Sequence, residues 1–196
     1  MKKTYQHILL LLLVNVFLLG CSESDDGPDD TAGEYYFSFK VDGTQVSYEF
    51  TPNTQINLTG IIDHDTTSDL YAVNIAGIDN IFETEPTNRF TIFLGDSENF
   101  ATGIAYTNLQ GQGDKTPDSL FSMGYFDGEG NLYSAGLNST PTPLYDLATV
   151  RFTEITDSHI SGSFSGTLKW YDTSVGTVEL VGSVVITEGA FKVPRY

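Results

Sequence analysis

The sequence predicts an all-β domain, an antiparallel two-sheet sandwich with a closed barrel as the alternative. Three observations carry this. Apolar and polar residues alternate with a period of two over many short segments, the pattern of half-buried strands. Turn-forming residues separate those segments at regular intervals. Outside the first twenty residues, apolar positions nowhere recur at i, i+3, i+4, i+7 over three turns. The 13 Phe and 11 Tyr suit pleated surfaces with one face buried.

The segments follow in order. Tyr35, Phe37, Phe39 and Val41 alternate with Tyr36, Ser38, Lys40 and Asp42. Asp42-Gly43 is a strong hairpin signal, because two-residue loops need residues that tolerate positive φ. Val46, Tyr48 and Phe50 continue the alternation on the return strand. Further strands are expected at 55–62, 70–78, 89–95, 120–126, 132–137, 149–155, 160–171 and 182–193. Turns are expected at Asp63-His64-Asp65, Glu85-Pro86-Thr87-Asn88 and Thr140-Pro141-Thr142-Pro143. In the segment 160–171, Ile160, Gly162, Phe164, Gly166, Leu168 and Trp170 share one face. Ser161, Ser163, Ser165, Thr167 and Lys169 share the other, which reads as solvent-exposed. The two glycines predict a bend or a close approach to a neighbouring sheet.

The first twenty residues have a different character. Lys2 and Lys3 precede an apolar run from Ile8 to Leu19. That run fits the apolar region of an export signal and is too short for a bilayer core, which needs about 20 residues. It ends in Leu18-Leu19-Gly20-Cys21, which resembles the lipobox of bacterial lipoproteins. The resemblance implies cleavage between Gly20 and Cys21, with lipid on the Cys21 thiol. Several acyl chains make a durable anchor where one is marginal. Residues 22–30, Ser-Glu-Ser-Asp-Asp-Gly-Pro-Asp-Asp, are acidic and rich in breakers, so they read as a disordered tether. Their start is similar to the acidic sorting signal of surface-exposed Bacteroidota lipoproteins, which implies an outer-membrane location facing the exterior. The expected organisation is a signal peptide at 1–20, a tether at 21–33 and one β domain at 34–196.

Composition narrows the partners. The formal charge is -17, from 9 Lys and Arg against 26 Asp and Glu. Nucleic acid is not an expected partner, since phosphate binding needs clustered cations. Cys21 is the single cysteine, so a lipidated chain has no internal disulfide, thiol catalysis or zinc–thiolate site. The expected membrane link is the lipid on Cys21.

Three segments carry a further resemblance. FSFKVDGTQV (37–46), ISGSFSGTL (160–168) and VVITEGAFKV (184–193) resemble the ends of small Bacteroidota lipoproteins grouped as domains of unknown function. That resemblance implies a sandwich-like fold and an envelope location, and brings no reaction with it.

The search for chemistry is mostly negative. His64 and His159 are the histidines behind the signal segment, and either could enter a Ser-His-acid site. No Gly-x-Ser-x-Gly elbow is present, because Phe164 occupies its centre in Gly162-Ser163-Phe164-Ser165-Gly166. The Gly111–Thr116 segment lacks the spacing of a phosphate loop. Asp127, Glu129 and Asn131 space three oxygen-bearing side chains through a Gly-rich turn, a candidate calcium loop; a hairpin turn explains the same residues, and no other cofactor is expected. Tyr35, Tyr36, Tyr48, Tyr125, Tyr133, Trp170 and Tyr171 are candidates for a sugar-stacking platform, but alternating aromatics more often fill the core, and Trp170 lies on the apolar face of its strand. Asp30-Thr31-Ala32 and Asp118-Ser119-Leu120 resemble the O-glycosylation acceptor pattern of the same phylum.

The expectation is a lipid-anchored envelope protein with a structural or binding role and no enzymatic activity. Its partner would be a glycan or another envelope protein. The alternatives are a glycan-binding module of a polysaccharide capture system and a hydrolase of glycan or lipid. A lipocalin-like barrel around a small apolar ligand is a further variant, without the Gly-x-Trp that opens the first strand of that fold.

Overall fold

The structure, a computed structural model, describes residues 34–138, 144–174 and 176–196. Gly20, Cys21, the tether, Thr31 and the Thr140–Pro143 turn lie outside the described residues.

Eleven strands follow one another: β1 (Tyr36–Val41), β2 (Thr44–Glu49), β3 (Leu58–Asp65), β4 (Leu70–Ile78), β5 (Arg89–Asp96), β6 (Ala105–Thr107), β7 (Leu120–Phe126), β8 (Leu132–Gly136), β9 (Ala148–Ile155), β10 (His159–Asp172) and β11 (Glu179–Pro194). Their ladders are all antiparallel, in the order β2-β1-β11-β10-β8-β7-β5-β4-β3. The long β10 divides its outer edge. Its first half pairs with β9, which carries β6, and its second half meets β8 at Lys169. The far edge of the sheet returns to the start: Gly60 of β3 bridges Arg195 just past β11, and the Tyr196 N–H donates to the Gly60 carbonyl at 2.9 Å. The fold is therefore all-β, with its facing layers joined in one nearly closed, barrel-like sheet.

Every strand expected from the alternation is present. The Asp42-Gly43 turn has φ of 48° and 85°, the paired positive values of a two-residue hairpin. Three details differ from the sequence expectation. Asp63-His64-Asp65 is the end of β3, paired in register with Leu70–Ala72, and not a turn. The third strand begins at Leu58, because Thr51–Thr54 turns instead: the Thr54 and Gln55 N–H groups both donate to the Thr51 carbonyl. Ser161 is buried, since its hydroxyl meets Thr153 Oγ1 at 2.9 Å across β9 and β10. The three-residue β6 has no periodicity long enough to read.

The interior is aromatic. Phe37, Phe39, Phe90 and Phe164 come from β1, β5 and β10, and their rings all meet one another, with centroids 4.7 to 6.1 Å apart. Phe191 of β11 joins this cluster to a second one of Phe100, Tyr106 and Phe152. Such pairs add about 0.5–1.5 kcal/mol each beyond burial. These phenylalanine rings pack together between the facing strands of the barrel-like sheet.

Two buried asparagines finish the framework. Asn57, 2% exposed, donates through Nδ2 to the carbonyls of Glu49 and Ile78 at 2.7 and 3.1 Å, and its Oδ1 accepts from the Thr51 N–H. It ties the end of β2 to the end of β4. Asn108, fully buried, donates to the carbonyls of Gly136 and Asp146 and accepts from the Ala148 N–H. Buried amides of this kind are favourable only when satisfied, and these are.

Candidate functional site

The outer face of the β1–β2 hairpin carries a shallow groove of about 350 Å³. Strand alternation creates it. Phe37 and Tyr48 point inward, so Tyr36 and Ser38 of β1 and Ser47 and Glu49 of β2 point out. Cross-strand pairing sets Tyr36 opposite Glu49 and Ser38 opposite Ser47. Tyr36 is 45% exposed. At one end Tyr35 packs edge-on against Phe50, ring centroids 5.1 Å apart. The Lys192 ammonium sits 5.8 Å from the Tyr35 ring centre and pairs with Glu34 at 3.0 Å. The groove thus offers an aromatic wall, two hydroxyls and a carboxylate, a set suited to stacking on and hydrogen-bonding a neutral, hydroxyl-rich ligand.

The charges favour a neutral ligand over an anion. All four lysines of the described residues are ion-paired: Lys40 with Glu188, Lys115 with Asp96 and Glu98, Lys169 with Asp146, and Lys192 with Glu34. Arg151 and Arg195 lie near Asp114 and Asp157, and Arg89 lies over the Phe126 ring. At any of the four lysines, an anionic ligand would have to displace an acid.

The aromatic candidates scatter. Tyr35 and Tyr36 reach the groove. Tyr48 and Tyr125 are core residues, and burial pushes both phenols above their usual range. Tyr133 packs on Trp170, and Tyr171 on Tyr145.

The Asp127–Asn131 segment is the β7–β8 turn. Asp127 Oδ1 accepts from the backbone N–H groups of Glu129 and Asn131, and Oδ2 accepts from Asn131 Nδ2, all at 2.9 Å. Partial burial raises the Asp127 pKa, but these bonds from Asn131 and the backbone outweigh it and hold the carboxyl below its usual range. Asp127 therefore spends its oxygens on its own turn. A bound calcium would have to replace those bonds. Among the described residues no three His, Cys, Asp or Glu side chains stand together as a metal site.

The two histidines differ. His64 stacks on Tyr71, ring centroids 4.0 Å apart, with Nε2 at 3.0 Å from Asp69. His159 lies at the β9–β10 turn. Its Nε2 is 2.9 Å from Glu154 Oε2, and its Nδ1 is 3.2 Å from Ser158 Oγ and 3.1 Å from Thr156 Oγ1. The bond from His159 is the chief reason that the Glu154 carboxyl lies below its usual range. Serine, histidine and acid are thus in hydrogen-bond sequence, as a nucleophile–base–orienter relay requires. Thr156 competes for the same nitrogen, and its hydroxyl also receives the N–H groups of Ser158 and His159, as in an ordinary turn. Ser158 is exposed at the turn.

Sequence reasoning named His159, with Ser158 beside it in the chain, and missed Glu154 as its partner. Glu154 reaches His159 only because β9 and β10 form a hairpin, with Ile155 paired to Ile160. Asn57 and Asn108 carry no local pattern that marks them as buried. Ser119, in the other glycosylation-like segment, is exposed and bonds Asp118.

Comparison with protein-family models, with curated proteins and with solved structures gave no match.

Proposed function

We propose that this chain is an outer-membrane lipoprotein held by lipid on Cys21, with an outward-facing β domain whose role is binding and not catalysis. The anchor reading is supported by the charged start, the Ile8–Leu19 apolar run and the Leu18-Leu19-Gly20-Cys21 ending. The acidic residues 22–30 and the resemblance to Bacteroidota lipoproteins support the outer surface. The binding reading rests on the groove beside Tyr36, whose lining favours a glycan as ligand.

The anchor is tested by metabolic palmitate labelling. The wild-type chain is expected to take the label and Cys21→Ala to lose it. Protease treatment of intact cells is expected to remove the domain; full protection would refute the outward orientation.

A second reading, hydrolysis, is favoured by the Ser158–His159–Glu154 relay alone. One assay separates the two. Soluble polysaccharides are expected to slow the wild-type protein in affinity electrophoresis, with the shift lost in Tyr36→Ala and no sugar or acyl group released. Release that disappears in both Ser158→Ala and His159→Ala would instead establish the hydrolase.

A further inference from the structure

We propose that Lys115 and Asp96 condense into an intramolecular isopeptide bond, with Glu98 as the proton carrier. The folded chain makes this bond by itself, independently of any ligand at the groove.

Asp96 is the last residue of β5 and continues its inward face after Phe90, Ile92 and Leu94, so its carboxyl is carried inside and is only 1% exposed. Lys115 reaches it from the segment between β6 and β7. The lysine backbone is fixed there: its N–H donates to the Ala105 carbonyl at 3.1 Å, and its carbonyl accepts from the Thr107 N–H at 2.9 Å. The Ser97 N–H donates to Asp118 Oδ1 at 3.1 Å and fixes the chain just past Asp96. Lys115 Nζ is thus held 3.0 Å from Asp96 Oδ1 and 2.8 Å from Glu98 Oε2. Groups held at about 3–3.5 Å react far faster than the same groups free in solution.

The two carboxyl oxygens of Asp96 are unequal. Oδ1 accepts from Lys115 Nζ and from the Glu98 N–H at 3.0 Å. Oδ2 is buried and has no hydrogen-bond partner among the described residues. A buried oxygen without a partner is costly, and more so on an ionised group. An ordinary ion pair keeps that cost. Condensation removes it, because the oxygen without a partner is the one that departs.

The groups stand where the reaction needs them. Burial lowers the Lys115 pKa, but the bonds to Glu98 and Asp96 outweigh it and hold the ammonium charged. A proton must therefore leave before the nitrogen can attack, and Glu98 Oε2 is within reach to take it. The freed amine forms a bond to Asp96 Cγ. Negative charge gathers on Oδ1, where the Glu98 N–H already donates. A second proton leaves the nitrogen by the same route. Glu98 delivers both protons to Oδ2, the Cγ–Oδ2 bond breaks and one water departs. Glu98 ends ionised as it began, and no oxidant or reductant is consumed. The amide oxygen keeps its bond from the Glu98 N–H. The link closes residues 96–115 into a ring, which restricts the unfolded chain as a disulfide does.

Trypsin provides the test, because Arg89, Lys115 and Arg151 are consecutive cleavage sites. The full chain, denatured and digested, is expected to yield peptide 90–151 uncut at Lys115 and lighter than its sequence mass by one water. Tandem mass spectrometry is expected to release no backbone fragments from within residues 96–115. Lys115→Arg keeps the charge without a nucleophilic amine. That variant and Asp96→Ala are each expected to give separate peptides 90–115 and 116–151 at full mass. Glu98→Gln keeps the backbone N–H and is expected to lose the link. Cleavage at Lys115 in the wild-type chain, with or without loss of a water, overturns the proposal. A ring that starts at Glu98 in place of Asp96 overturns it too, and an undiminished link in Glu98→Gln overturns the assigned proton carrier.

Discussion

Valine in place of Gly189 is expected to destabilise the domain by about 3 kcal/mol, the upper end of the usual overpacking range. A Cβ at this position would stand 2.4 Å from the Phe164 carbonyl oxygen and 2.7 and 2.8 Å from two atoms of the Phe164 ring. The ring belongs to the central cluster, and the carbonyl belongs to a β10 backbone fixed by neighbours on both sides. Neither side can yield without opening the sheet. The site is also a β-bulge: β11 places one extra residue here against both β1 and β10, and Glu188 adopts φ 52°. Urea denaturation followed by tryptophan fluorescence measures the shift. Gly43→Ala is the comparison. Gly43 has φ 85° but nothing within 4 Å of its would-be Cβ, so only the left-handed backbone cost of about 1–2 kcal/mol applies. Equal losses in the two variants would show that close packing at Gly189 is unimportant.

Truncating Phe37 to alanine is expected to cost about 3–5 kcal/mol, the range for a large buried aromatic side chain. Phe37 is fully buried and its ring meets those of Phe39, Tyr48, Phe90, Phe164 and Phe191. Gly77 lies against it so closely that a Cβ there would stand 2.6 Å from its ring. The cavity left by alanine borders several strands at once and cannot collapse around a single neighbour. Phe82→Ala is expected to change stability by less than about 0.5 kcal/mol, as exposed substitutions do. Thermal unfolding of both variants checks the contrast. A loss at Phe82 near that at Phe37 would mean that the exposed β4–β5 loop helps hold the fold.

The bulge at Glu188 and Gly189 gives a physical reason for the closing Ile186-Thr187-Glu188-Gly189-Ala190-Phe191 segment. Thr187 and Ala190 keep the strand paired on β1, while the extra residue between them re-aims it. Lys40 secures the bulge from β1 by its ion pair with Glu188 at 2.7 Å. The opening Lys40-Val41-Asp42-Gly43 segment supplies that lysine and the hairpin turn, so the two ends of the chain meet at one point in the sheet. The glycines of β10 follow the same logic: a Cβ on Gly162 would stand 2.4 Å from the Arg151 carbonyl, and one on Gly166 2.7 Å from Ala148.

The alternation of apolar residues by itself determined the all-β class, the strands around the core and the Asp42-Gly43 hairpin. Those properties are local, because a period of two decides which face each side chain takes. The charge balance and the first thirty residues likewise shaped the anchor expectation without help from the fold. Only the tertiary structure decided how the strands are ordered, that β3 returns to β11, and which of the many aromatics meet. It also decided that Glu154 reaches His159, that Asp127 serves its own turn, and that Tyr36 faces a groove while Tyr48 fills the core. Each of these depends on pairing between segments distant in the chain or on the bends where they meet. Alternation names a residue's face and leaves its neighbours open; curling the sheet supplies those neighbours, and with them the groove.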